Sequence, residues 1–530
     1  MLKTVQKIFH TLNRQLGSIG SLLEIKHPTF KKIFRVTFFI VTLHLFYSYI
    51  GVYRFIQERP CSIHSSAQCQ RASVALNYYQ IDMNFFEPRI LRYGGDDGVT
   101  GMEFPLVYYT AALLYKIFGF HDFYLRIISL IIISAGLVFF YLLTNLFIRN
   151  AIMSTIIVSA AILSPVLMYY GANFMPDAPS LGFTLIGWYY FFKFLRSSQK
   201  RDMNLFAVFA ALGALIKAVS AMSFFIVIGL LVFDLIKKFK NESGENVFKE
   251  RKVIIVRVFV GMFSVFAWYF YARWLSGKGG GQAFAMAPRM IENSDDFNYV
   301  ITYLKNWIYQ YYSYETYVLL GAAIIFTIIA FRKVNKVLLA TTVLYGMAGI
   351  CYVYLFFFQF AHHDYYFIAL MPFAFFLILT FTDGLMRLAP AYSRIIKVAF
   401  VIILIFNIKE CALNCEENYF FRFDSREYLG GDYRPYYDIE PKLRAIGITR
   451  KDKVVSAFDN SYSSSLYFMN QPGFTVEEVY QRDTIMTAMR APGVKYLVTN
   501  DSAKFNRIYL KDLANKIVLT HRGLIVYKIR

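Results

Sequence analysis

Residues 123–147 read FYLRIISLIIISAGLVFFYLLTNLF, a run whose single formal charge is Arg126. A helix of about 20 apolar residues matches the thickness of a bilayer's hydrocarbon core. This stretch therefore sets the fold as helical and membrane-spanning. Comparable runs lie at about 34–53, 151–170, 178–195, 203–218, 220–236, 253–275, 317–331, 337–358, 365–383 and 395–410, which predicts about eleven transmembrane helices. The composition agrees. Of 530 residues 57% are hydrophobic and only 17% charged, against roughly 45–50% and 25% in soluble domains. A disordered chain and a single soluble enzyme are both excluded.

The net charge of +21 does not point to nucleic acid, because the basic residues gather in the loops between spans, where they orient the helices. Lys193, Arg196, Lys200 and Arg201 share one loop; Lys237, Lys238, Lys240, Lys249, Arg251 and Lys252 share another. Arg332, Lys333 and Lys336 fill a third, and Arg387, Arg394 and Lys397 a fourth. All four fall on the side of the N-terminus, whose first 35 residues carry seven Lys or Arg and no cleavable signal pattern. The expected topology is a cytoplasmic N-terminus and, with an odd span count, an external C-terminus.

The expected organisation is an all-α polytopic domain over 1–410 and a small α/β extramembrane domain over 411–530. The first external loop, 54–122, includes an amphipathic interfacial helix at 103–118 that ends at Gly119. In the C-terminal part, 453–458 and 495–499 read as strands, 438–446 as a helix capped by Gly447, and 517–520 with 524–529 as a hairpin. Cys61, Cys69, Cys411 and Cys415 fall on the external side, where disulfides persist, and a Cys61–Cys69 bridge is the favoured pairing.

Charged groups at the external ends of spans are costly unless they pair or work. Four places stand out: Glu103 at the start of the interfacial helix, Asp177 between Pro176 and Pro179, Lys217 at the turn of a tight two-span hairpin, and His362-His363-Asp364-Tyr365-Tyr366. Each has a plain structural reading. The acids can cap helices, the lysine can reach the headgroups, and the histidines can join an interfacial belt with their tyrosines. Together they put acids, an ammonium and imidazoles on one membrane face. Cations there hold a phosphate leaving group, and carboxylates bind a metal or take a proton from an attacking hydroxyl.

The order of these elements resembles GT-C glycosyltransferases, the class of protein O-mannosyltransferases and lipid A aminoarabinose transferases, and in particular their bacterial relatives. The resemblance runs through 68–78, Pro88-Arg89, Glu103-Phe104-Pro105-Leu106, Phe118-Gly119 followed by Arg126, Met175-Pro176-Asp177, and Lys217. It implies an integral membrane enzyme of the bacterial inner membrane with a periplasmic site. Such an enzyme moves a sugar with inversion from a polyprenyl-phosphate donor to a glycan, lipid A or protein acceptor. It further implies Glu103 as the carboxylate that joins a divalent metal or positions the donor, Asp177 as a second essential acid, and Lys217 near the donor phosphate. His362 or His363 is then a phosphate or metal contact, with Gln70, Arg71, Arg89, Arg126 and Tyr365 as further substrate contacts. The chain departs from the family in one place: where the family reads Gln-Ala-Asp, it reads Gln68-Cys69-Gln70, and an amide cannot accept a proton. Asp82, Asp96, Asp97 or Asp177 then takes the base's role, or the register differs. An inactive binder of lipid-linked glycan is the alternative that Gln70 keeps open. A transporter or flippase of lipid-linked sugars fits less well, because no inverted repeat is present and the charges avoid mid-membrane.

Overall fold

The computed structural model describes residues 28–529 except 93–96, 241–243, 280–283, 285–287, 389, 425–432, 478–481 and 502–515. The chain divides into two compact units, 1–45 and 46–530. The helices are α1 (Pro28–Ile50), α2 (Ser65–Gln80), α3 (Leu106–Phe118), α4 (Phe123–Ile148), α5 (Ala151–Ile162), α6 (Pro165–Gly171), α7 (Asp177–Ser197), α8 (Lys200–Ile216), α9 (Met222–Lys237), α10 (Arg251–Gly279), α11 (Ser294–Tyr311), α12 (Tyr314–Ile329), α13 (Lys336–Leu355), α14 (Met371–Met386) and α15 (Pro390–Asp424). Beyond them come short helices α16 (Arg434–Tyr437), α17 (Glu440–Ala445), α18 (Ser464–Met469) and α19 (Arg482–Met489), and strands β1 (Lys453–Ala457), β2 (Gly473–Val476), β3 (Val494–Thr499), β4 (Lys516–His521) and β5 (Leu524–Lys528).

Among the described residues seven helical stretches are long and apolar enough to cross a membrane, or nine if two bent pairs each count as one span. That is fewer than the eleven expected. The difference lies in 178–195 and 203–218, which form α7, less apolar than a lipid-facing helix, and α8, at 17 residues too short to count as a span. Most of α7 is buried, and α8 packs one face against it while Val208 on the other stays exposed. A Cβ on Gly136 of α4 would lie 2.4 Å from the Cα of Gly182 on α7, so the two backbones touch, as small residues allow in membrane bundles. On α8, a Cβ on Gly213 would meet the Thr184 side chain of α7 at 2.7 Å. A helix enclosed this way does not require a uniformly apolar surface.

The run 151–170 also departs from expectation. It breaks at Ser164-Pro165 into α5 and α6, bent by 91°, because the residue before a proline avoids helical backbone and the proline itself suits a helix start. Ser164 caps the second piece by accepting from the Leu167 amide. The expected interfacial helix is α3, with Leu113, Ile117 and Phe118 exposed along it. The last helix runs past the expected boundary at 410 to Asp424.

The five strands form one sheet in the order β2-β1-β3-β5-β4, parallel among β2, β1 and β3 and antiparallel on either side of β5. Side chains alternate between its faces. Val455, Leu497 and Tyr527 pack with Ile485 and Met489 of α19, whereas Val454, Val498, Leu524 and Val526 join a core with Ala72, Leu76 and Tyr78 of α2 and Tyr108, Ala111 and Tyr115 of α3. The sheet and the first loop therefore share one hydrophobic core. The Gly473 amide donates to the Leu91 carbonyl at 3.0 Å, the Arg450 guanidinium to Asn77 at 2.5 Å, and the Tyr467 hydroxyl to Asp122. Gly473 admits no side chain, since a Cβ would sit 1.9 Å from the Val454 carbonyl oxygen.

The expected Cys61–Cys69 bridge does not form. All five cysteines are free thiols, and these two turn to different neighbours: Cys61 to the Arg126 guanidinium at 3.9 Å, Cys69 to Ser464.

Candidate functional site

A cavity of about 440 Å³ opens between α2, the start of α3, the end of α8, α10 and the 363–366 segment. Helix α2 supplies Gln70 and Arg71 from one face. Arg71 Nε donates to Glu103 Oε1 at 3.1 Å, and the Tyr108 hydroxyl donates to the same oxygen at 2.9 Å. Glu103 sits just before α3, and the neighbouring Phe104 amide is tied to the Leu215 carbonyl of α8 at 2.9 Å. The loop acid is thereby fixed against the helix that ends in Lys217.

On the opposite wall Lys217 follows the last turn of α8, where the chain leaves helical geometry. Its Nζ lies 2.9 Å from Asp177 Oδ1 and 5.1 Å from the ring centres of Tyr365 and Tyr366. Pro176 precedes Asp177 and Pro179 follows in the first turn, so the proline rings restrict the backbone that presents the acid. Asp177 Oδ2 is buried and has no hydrogen-bond partner among the described residues. Tyr269 and Phe284 complete the aromatic part of the lining.

A third charged group was not legible in the sequence. Asp364 is wholly buried. Its Oδ1 accepts from the Tyr170 hydroxyl at 2.6 Å and meets His64 Nε2 at 3.2 Å, while its Oδ2 accepts from Arg422 Nη2 at 2.8 Å. His64 lines the cavity with left-handed backbone, φ 57°, a conformation that costs energy outside glycine and concentrates at functional positions. Arg422 lies beyond the expected end of the last span, and Asp364 was noted only as part of the His362–Tyr366 motif.

The structure brings Gln70, Arg71, Glu103, Lys217, His363 and Tyr365 to this cavity, with Asp177 bonded to one of them. His363 shares a hydrogen bond with the Tyr365 hydroxyl at 3.1 Å. Burial, followed by the nearby charges of His64, Lys217 and His362, pushes its imidazole down to about 3, so it is neutral at physiological pH. Other expected contacts lie elsewhere. His362 is exposed against Tyr299. Arg89 bonds Glu87 at 2.9 Å and faces Asp82 at 3.6 Å. Asp97 is exposed and Asp96 lies outside the described residues. Arg126 is fully buried, donating to the carbonyls of Glu58, Ala172 and Arg59 at 2.8, 2.8 and 3.2 Å; it fastens the loop to the bundle and does not line the cavity.

The residues expected to hold a metal, Glu103 and His363, do not fit one. The Arg71 guanidinium occupies the cation position beside Glu103, and among the described residues no three His, Cys, Asp or Glu gather to ligate an ion.

Comparison with known proteins gives the fold its relatives. Residues 103–244, which contain Glu103, Asp177 and Lys217, match the family described as dolichyl-phosphate-mannose-protein mannosyltransferase. Among curated proteins none matches in sequence. Among solved structures the chain is similar to ArnT from Cupriavidus metallidurans, both in the apo state (11% identity, TM-score 0.58) and bound to undecaprenyl phosphate (10%, 0.59). Each match covers 92% of this chain and 97% of that one. It is also similar to the oligosaccharyltransferase AglB from Archaeoglobus fulgidus, solved with an inhibitory peptide and a dolichol-phosphate (13%, 0.50, covering 89% of this chain and 70% of that one). The chain shares its fold with these membrane proteins, ArnT being the nearer architectural likeness of the two.

Proposed function

We propose that the protein is an integral-membrane glycosyltransferase that transfers a sugar with inversion from a polyprenyl-phosphate donor to a glycan, lipid or protein acceptor. One observation carries this reading: the Arg71–Glu103 pair and Lys217, held by Asp177 from behind, face a single cavity of about 440 Å³ between the middle of α2 and the end of α8. Lys217 and Arg71 are the groups to hold the donor phosphate. As the acceptor oxygen bonds the anomeric carbon, the bond from that carbon to the phosphate oxygen breaks, and the electron pair leaves with the polyprenyl phosphate. Fixed cations favour that departing charge. The proton of the acceptor hydroxyl goes to a carboxylate, and Glu103 takes this role because it lines the cavity, which Asp177 does not. Tyr269, Tyr365 and Tyr366 offer ring faces and hydroxyls to the sugar. Gln70 and His363 contribute hydrogen bonds without taking up the proton.

The Lys/Arg distribution supports a cytoplasmic N-terminus with the cavity and C-terminal sheet on the opposite side, which is the periplasm in the bacterial inner membrane that the family resemblance implies. The experiment is mass spectrometry of surface glycans and lipids from a deletion strain, complemented with wild type or with Glu103→Gln. One sugar should be missing, restored by wild type and not by the variant. An unchanged glycan and lipid profile would overturn the reading.

A further inference from the structure

A second cavity, of about 540 Å³, forms where α4, α7 and α14 end, where α13 begins, and where the connection between α9 and α10 folds back. Helix α7 fixes its place. Asp177, at one end of this helix, borders the candidate active site, and Arg196 and Ser198, at the other, line the second cavity. At 1.5 Å per residue these ends are about 30 Å apart, the thickness of a hydrocarbon core. The two cavities serve opposite membrane surfaces.

Phe147, Phe192 and Met386 give the second cavity apolar walls, and its rim is cationic: Arg149, Arg196, Lys240, Lys249, Lys336 and Arg387, against the carboxylates of Glu245 and Asp383. Both acids are engaged, Glu245 with Lys249 at 3.0 Å and Asp383 with Arg387 at 3.0 Å. Asp383 also accepts from the Asn335 amide at 2.8 Å. Among the described residues Arg149, Lys240 and Lys336 have no carboxylate partner. Loop cations that serve only to orient a helix can stand apart in water. Here they converge from five separate elements around one concave space with apolar walls, where like charges repel unless an anion joins them.

We propose that this cavity binds the phosphate headgroup of an anionic phospholipid from the leaflet opposite the candidate active site. The phosphate accepts from the rim cations, and the glycerol and first methylenes lie along the phenylalanines and the methionine. An inorganic phosphate would satisfy the cations and leave those apolar walls wet. One lipid would also join the ends of α4, α7, α13 and α14.

The full-length protein, purified in neutral detergent, is titrated with cardiolipin, phosphatidylglycerol, phosphatidylcholine or inorganic phosphate, with bound species counted by native mass spectrometry. The two anionic lipids should be retained and phosphatidylcholine should not. Arg149→Gln with Lys336→Gln should weaken retention about tenfold or more, since each basic residue near the headgroup contributes to the attraction; the charge-preserving pair Arg149→Lys with Lys336→Arg should not. If the double variant misfolds, Lys240→Gln, on a connection outside the helices, should weaken retention in the same direction. Equal retention of phosphatidylcholine, full retention by these variants, or inorganic phosphate competing at concentrations like those of the lipids would each overturn the proposal.

Discussion

Lys217 Nζ and Asp177 Oδ1 stand 2.9 Å apart across the turn between α6–α7 and the end of α8, so the two groups work as one unit. Lys217→Met should raise the donor's KM at least tenfold or abolish transfer. It also leaves a buried carboxylate uncompensated, so the melting temperature should fall. Lys217→Met with Asp177→Asn removes both charges, and stability should largely return, because replacing both partners is far milder than orphaning one. Transfer should not return. Recovery of transfer in the double variant would make the pair a structural lock and nothing more.

Glu103→Gln should cost about 10²–10⁴ in turnover, the range for loss of a general base, while the amide oxygen still accepts from Arg71 and Tyr108. Near-normal turnover at unchanged melting temperature would remove Glu103 from the proton's path.

Arg126→Gln should act on stability and not on donor affinity. Three carbonyls lose charged donors, that of Ala172 in a fully buried bond and those of Glu58 and Arg59 in part-buried ones, a loss of roughly 1–3 kcal/mol, the range for a buried group left unsatisfied. Thermal unfolding in detergent measures it. A rise in donor KM with unaltered melting would return Arg126 to the substrate contacts.

His363 provides a signed pH dependence. Its folded value is near 3 against about 6.5 in the unfolded chain, so over that interval the unfolded state binds the extra proton. Stability is then fully present above pH 6.5 and declines as pH falls toward 3, by up to about 1.4 kcal/mol per pH unit. His363→Gln should flatten this part of the melting-temperature profile, and wild-type transfer should show no His363 inflection near neutral pH.

Alkylating the unreduced, denatured protein should add five groups, one for each free cysteine. A count of three would restore a disulfide.

Periodicity and hydropathy disclose an element when its environment is lipid, because lipid imposes a uniform demand on every side chain it touches. The run 123–147 was legible for that reason, and its helix is Phe123–Ile148. Helices α7 and α8 were also placed close to their observed bounds, but their packing was hidden, since their glycine contacts answer to neighbouring helices that a local window does not see. The break at Pro165 had a local cause and was readable in principle. At the site, Glu103, Asp177 and Lys217 were each conspicuous as charges at span ends. Their pairing was not, because Asp177 and Lys217 are distant in sequence. His64, Asp364 and Arg422 meet across separations of 300 and 58 residues, and nothing near each marks the others.

The core shared by the first loop and the sheet has a consequence for biosynthesis. Asp122 and its partner Tyr467 are 345 residues apart, so at ~5–20 residues per second the loop waits on the order of 20–70 s for the surface that covers it. During that interval the apolar faces of α2 and α3 are open to chaperones, proteases and other copies, and a ribosome that stops after the last membrane helix leaves them open for good. The apolar backs of α2 and α3, which hold Arg71 in place and anchor the segment of Glu103, are thus covered only once β3 and β5 have been made.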